Sequence, residues 1–140
     1  MPRMIFVNLP VADLDRAMAF YAGMGFANNP QFTDETAACM VWSETIFVMI
    51  LTHDKWRSFT ERPIAPAGSS EVAICLTLDS REEVNALGNK AAQAGGTSDV
   101  NPAIDHGFMM TRSVADPDGH VIEFTWMDLA AFEGAGKAAA

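Results

Sequence analysis

The stretch Asp116-Pro117-Asp118-Gly119-His120-Val121-Ile122-Glu123-Phe124 reads as a tight turn followed by a strand. Pro117 pre-sets φ at the second turn position, Asp118 tolerates the third, and Gly119 closes the turn. In the strand, Ile122, Phe124 and Trp126 fall on one face, with Val121, Glu123 and Thr125 on the other. A carboxylate inside such a run is exposed, paired or functional, because an unpaired buried charge is costly. Glu123 is therefore the first candidate site residue.

Upstream, Val72, Ile74, Leu76 and Leu78 alternate with Glu71, Ala73, Cys75 and Thr77, the cleanest two-residue period in the chain. Ser80 and Glu83 have capping-box spacing and open a helix with Val84, Leu87, Ala91 and Ala94 inward, ended by Gly95-Gly96. A strand around Phe108 to Val114 leads into the turn. An earlier stretch repeats the programme. Ile5, Val7 and Leu9 alternate with Met4, Phe6 and Asn8. Asp13 then caps a helix carrying Leu14, Ala17, Met18 and Tyr21 on one face, and Gly25 stops it. Strands over Thr36–Trp42 and Thr45–Thr52 follow, with a weaker one around Phe26–Phe32 and helical character over Asp54–Thr60.

Residues 62–70, with Pro63, Pro66 and Gly68, have linker composition. The order is thus βαβββ, linker, βαβββ: an α+β chain with units at 1–61 and 71–128 and a tail at 129–140. The Gly134–Ala138 stretch of that tail reads as unstructured. A unit of roughly 60 residues is marginal for a core of its own, so pairing of the halves and a homodimer are expected.

The 140 residues carry a net charge of −9, so a phosphate backbone would be repelled and nucleic acid is not an expected partner. Apolar residues at 49% and charged residues at 19% give globular composition. The longest strongly apolar run, Ile46 to Leu51, is far below the ~20 residues that span a bilayer, and no membrane partner is expected. Met1-Pro2-Arg3-Met4 lacks the apolar core of a signal peptide, and Cys39 and Cys75 are too isolated for a disulfide framework or a cysteine-based zinc site. The expected location is cytoplasmic.

Two segments carry a family likeness: Val11-Ala12-Asp13-Leu14, Phe20-Tyr21 and Met24-Gly25-Phe26 early, and Asp116 to Glu123 late. The chain resembles the vicinal oxygen chelate superfamily, which holds glyoxalase I, extradiol dioxygenases and bleomycin- and fosfomycin-resistance proteins. The resemblance implies two curled mixed sheets around a cleft, each with its helix on the outer face. It implies metal-ligand positions on the first and last strands of each unit, which fall here on Phe6, Ile50, Ala73 and Glu123. Phe6, Ile50 and Ala73 offer no donor atom. A divalent ion needs roughly three or more protein donors, so no metal and no other cofactor is expected, unless Glu71 and Asn8 make up an unusual set.

On the same assignment Met4, Phe6, Asn8, Val48, Ile50, Ala73, Cys75 and Glu123 face the cleft, and Trp42 borders it. Arg112 pairs with Glu123 or with an anionic ligand. His106 sits in a loop at the mouth, where polar residues often carry function. Cys75 has no nearby cation to activate it and is read as packing. Three functions follow from the resemblance. The first is a metal-independent protein that binds a small, partly apolar molecule. The second is a lyase (lactoylglutathione lyase-like) or dioxygenase with an altered metal set or with Glu123 as base. The third is a regulatory or interaction module with a filled cleft.

Overall fold

The computed structural model describes residues 1–131, so the Gly134–Ala138 stretch lies outside the described residues. The first unit runs β1 (Ile5–Val11), α1 (Leu14–Gly23), β2 (Ala27–Asn29), a 3-10 turn at Pro30–Phe32, β3 (Ala37–Val41), β4 (Ile46–Thr52) and the short α2 (His53–Arg57). After the linker come β5 (Ala73–Thr77), α3 (Arg81–Lys90), β6 (Thr97–Ser98), β7 (Ile104–Asp105), β8 (Met109–Ala115) and β9 (Val121–Met127). The sheets are ordered β1-β4-β3-β2 and β5-β9-β8-β6, with β7 pairing on β8. In each, the first strand runs parallel to the last and the remaining pairs are antiparallel. This is the expected α+β class with two mixed sheets.

The helices start and stop where local chemistry dictates. The Asp13 carboxylate accepts from the Arg16 N–H at 3.1 Å, satisfying one of the first-turn donors. At the other end Gly25 takes φ +98°, and the Phe26 N–H returns to the Tyr21 carbonyl at 3.0 Å. Ser80 Oγ accepts from the Glu83 N–H at 3.1 Å, as a capping box requires. The Glu83 carboxylate reaches one residue further back than the motif predicts, to the Asp79 N–H at 2.9 Å.

Each long helix covers one face of its sheet. Under α1 lie Val48 and Ile50, both 0% exposed; under α3 lie Leu76, Ile122 and Phe124. The two helix-covered faces then share one core, in which Phe20, Tyr21, Met24 and Phe26 of the first unit meet Val84, Ala91 and Phe124 of the second. The approach is close at two glycines. A Cβ on Gly23 would stand 3.1 Å from that of Ala94, and one on Gly96 would lie 2.4 Å from the Phe20 ring and 2.2 Å from the Ala115 carbonyl oxygen. Sheet faces opposite the helices are turned away from this core.

Polar contacts lock the same junction. Tyr21 Oη donates to Asp116 Oδ2 at 2.7 Å, and Asp116 Oδ1 accepts from the Asp118 and His120 N–H groups, each at 2.9 Å. Asp118 Oδ1 accepts from the Ala12 N–H at 2.8 Å, and His120 Nε2 lies 2.7 Å from the Pro10 carbonyl, which fixes the ring proton on Nε2. The Asp116–Gly119 turn is therefore the clasp between the two units. Burial pushes the Asp116 pKa up, against the lowering effects of His120, the Tyr21 hydroxyl and the turn N–H groups. Burial also holds the Tyr21 hydroxyl well above its usual pKa, with Asp116 adding to the shift.

Candidate functional site: two open sheet faces

Register decides what the open faces carry. β1 and β4 pair Phe6 with Phe47 and Asn8 with Met49, and paired residues in neighbouring strands project to the same side. The Phe6 and Phe47 rings stack with centroids 4.5 Å apart and planes 9° from parallel. They floor a cavity of about 540 Å³, within the range of small-molecule sites. Met4 and Met49 extend its apolar wall, Phe32 and the buried Cys39 close one side, and Asn8 and Asn29 supply its polar side chains. Burial pushes the Cys39 thiol pKa up, so the thiolate is disfavoured there.

Val48 and Ile50 are not in this cavity. The expected register of β4 is off by one residue, and both side chains are core under α1. Phe47 and Met49 take the places expected of them. Ile46 to Leu51 is an unbroken apolar run because one face of β4 packs on the helix and the other lines the cavity, so hydrophobicity gave no period to read. Trp42 is also misplaced by the expectation. Its ring packs on Phe26 at 5.0 Å and on Phe124 at 5.8 Å, against the inter-unit core.

On the second sheet Ala73, Cys75, Glu123 and Thr125 share the open face, as their alternation requires, with Ser113 across from Glu123. Thr125 Oγ1 lies 2.7 Å from Thr111 Oγ1 and 3.3 Å from Cys75 Sγ, a short chain of hydroxyl and thiol groups. Beside it the half-buried Glu123 carboxylate forms no hydrogen bond or ion pair among the described residues.

Arg112 does not pair with it. One step along β8 from Thr111 and Ser113, it points to the helix side, where it is 8% exposed. Its guanidinium makes a two-point contact with Asp99 at 3.0 and 2.7 Å and reaches Asn89 Oδ1 at 2.8 Å and the Asn85 carbonyl at 3.2 Å. Gly88 makes room for it: a Cβ there would lie 2.6 Å from Arg112 Nε. Arg112 pins α3 to the sheet, and Arg112 in turn lowers the Asp99 pKa. His106 is exposed in the β7–β8 turn, its ring 6.2 Å from that of Phe108.

One chain does not bring the two open faces together. The cavity is lined by first-unit residues alone, while Ala73, Cys75 and Glu123 stand on the other sheet. The positions that the superfamily resemblance marks for metal ligands, which become Phe6, Phe47 or Met49, Ala73 and Glu123 with the corrected register, would offer one carboxylate and at most one thioether, short of the roughly three donors a divalent ion needs. Among the described residues no group of three or more His, Cys, Asp or Glu side chains is placed to hold a metal ion. No helix among those residues is long and apolar enough to cross a membrane.

Comparisons with known proteins agree with this architecture. Residues 3–43 match the family model described as bleomycin resistance protein-like N-terminal. A hypothetical protein from S. aureus superposes with a TM-score of 0.74 at 26% identity, covering 90% of this chain and 95% of that one. A glyoxalase-related enzyme from Fulvimarina pelagi gives 0.74 at 20% identity over 90% and 88%. The fosfomycin resistance protein FosX from Mesorhizobium loti gives 0.65 at 16% identity over 94% and 97%. No curated protein sequence matches. The chain thus has the fold of the glyoxalase/bleomycin resistance/dioxygenase superfamily, with a bleomycin resistance protein-like segment at its N-terminus.

Proposed function

We propose that the protein binds a small, partly apolar molecule, without a divalent ion, in a cleft completed by two copies of the chain. The first-unit open face of one copy would meet the second-unit open face of the other. The observation that carries this reading is the cavity of about 540 Å³ over the stacked Phe6 and Phe47 rings, apolar and open to solvent. Support comes from the sheet edges. β1 and β5 each end a sheet with one side unpaired, and Met4, Ile5, Phe6 and Val72 are 46, 54, 48 and 64% exposed around them. Unpaired apolar edges of this kind favour association.

The test combines thermal-shift screening of small aromatic compounds with elemental analysis of the purified protein. Stabilisation by a compound, lost on Met49→Ala while Ile50→Val still responds, is the expected result. Near-stoichiometric Ni, Zn, Fe or Mn that disappears on Glu123→Ala would overturn the metal-free part and return the chain to a lyase or dioxygenase reading. A metal-free enzyme is the second reading, resting on the unpartnered Glu123 carboxylate as a base. Turnover abolished by Glu123→Gln with binding intact would select it. The open cavity disfavours a regulatory module with a filled cleft.

A further inference from the structure

We infer that the ligand is a planar aromatic molecule bearing an ammonium or other hydrogen-bond-donating group, and that the site rejects anions. This rests on the cleft reading above and adds the ligand's chemical class to it.

The first observation is the ring pair. Phe6 and Phe47 lie stacked and parallel, and Phe6 is 48% exposed. Such a stack presents ring edges and an outer face one ring wide, and an aromatic body meets these edge to face or by continuing the stack with an offset. An aliphatic chain would gain only its buried area there.

The second is the charge of the two faces. The first-unit cavity has no charged residue. On the second face Glu123 is the charged side chain, set among Thr111, Thr125, Ser113 and Cys75. No lysine or arginine lines the first-unit cavity, and Arg3, next to Met4, and Arg62 are exposed outside the strands. Arg112 is turned to the helix side and Arg81 is occupied by Asp105 and the Trp126 ring, its guanidinium 5.6 Å from the ring centroid. Lys90 lies beside Gly23 at the junction of the units. Arg16 is in α1, and Lys55 and Arg57 are in α2. An anion entering the cleft would lose hydration, meet a carboxylate and find no cation among the residues lining the cavity, and the −9 net charge would repel it on approach.

The third is that Glu123 has no partner within the chain. A half-buried carboxylate with free acceptor sites is completed by a donor, and a charged donor gives the stronger bond. Ligand chemistry follows directly: rings toward Phe6 and Phe47, an amine toward Glu123.

The probes are three naphthalenes of one shape: 1-naphthylmethylamine, 1-naphthalenemethanol and 1-naphthoate, titrated calorimetrically into the full chain. The amine should bind about tenfold more tightly than the alcohol, and 1-naphthoate should be the weakest of the three. Glu123→Gln, near-isosteric and half-buried, should bring the amine down to the alcohol's affinity and leave the alcohol unchanged. Phe47→Leu should weaken all three together. Naphthoate binding as well as the amine, or an amine affinity untouched by Glu123→Gln, overturns this inference and leaves the cleft standing. Failure of all three to bind a folded, dimeric protein overturns the cleft itself.

Discussion

Asp116 holds three donors while almost wholly out of water: the Tyr21 hydroxyl and the N–H groups of Asp118 and His120. Its pKa is nonetheless raised above 3.8, because burial outweighs those bonds. The folded state therefore keeps a proton that the unfolded state gives up, and this group's share of stability falls as pH rises from about 3.8 through the folded value. Asp116→Asn retains the shape and an acceptor for the turn. It should flatten the stability–pH curve in that window, relative to the parent, in urea unfolding series from pH 4 to 7. Asp99, held low by Arg112, acts in the opposite sense and is common to both proteins, so the difference isolates Asp116. Neighbouring residues on β4 give a second test. Ile50→Ala empties a fully buried site and should cost about 2–5 kcal/mol, whereas Met49→Ala, on the open face, should cost under about 1 kcal/mol. Equal costs, read from urea midpoints, would mean the register is wrong. That register was illegible beforehand, since β4 is apolar on both faces. Around Ile74 and Phe124 it was plain, because only one face there packs on a helix.

At the scale of elements, α3 is tied to its sheet by one side chain. Arg112 crosses from β8 beneath Gly88 and collects Asp99, Asn85 and Asn89, so three stretches of backbone meet at one guanidinium. Removing it leaves the Asn89 side chain and the Asn85 carbonyl short of a donor. Asp99 is partly solvated, which limits the penalty. Arg112→Ala should destabilise by about 1–3 kcal/mol and leave amine binding at the open face unchanged, a pairing of results checked by denaturation and calorimetry. A guanidinium that served the ligand would show the reverse. The sequence placed Arg112 on a strand next to Glu123 but left its side open, and the structure sets them on opposite faces. The outer strands β6 and β7 had no signature at all, because two residues each are too few to show a period.

For the whole molecule, alternation showed which faces carry helices but not which faces meet. The chain joins its helix-covered faces and leaves its open faces and two sheet edges uncovered. A second copy is the economical cover, given one sequence that supplies both halves of the cleft. Sedimentation at micromolar concentration should give a single species of twice 15.1 kDa, and the thermal midpoint should rise with protein concentration. A concentration-independent midpoint with a 15.1 kDa species would refute the dimer.

The clasp at the turn also sets an order of events during synthesis. Its bonds from Asp118 to Ala12 and from His120 to Pro10 join residues 106 and 110 positions apart, and β5 waits for β9 before its sheet can close. Until β9 leaves the ribosome, Phe20, Tyr21 and Met24 of α1 lack Phe124 and the Asp116 clasp, which complete their cover from the second unit. A growing chain of this design leaves apolar helix surface incompletely covered until late in translation, and such surface is prone to aggregation. Chains ending before Asp116 should accumulate in the insoluble fraction even though every first-unit strand is present, and co-expressed second unit should return them to solution.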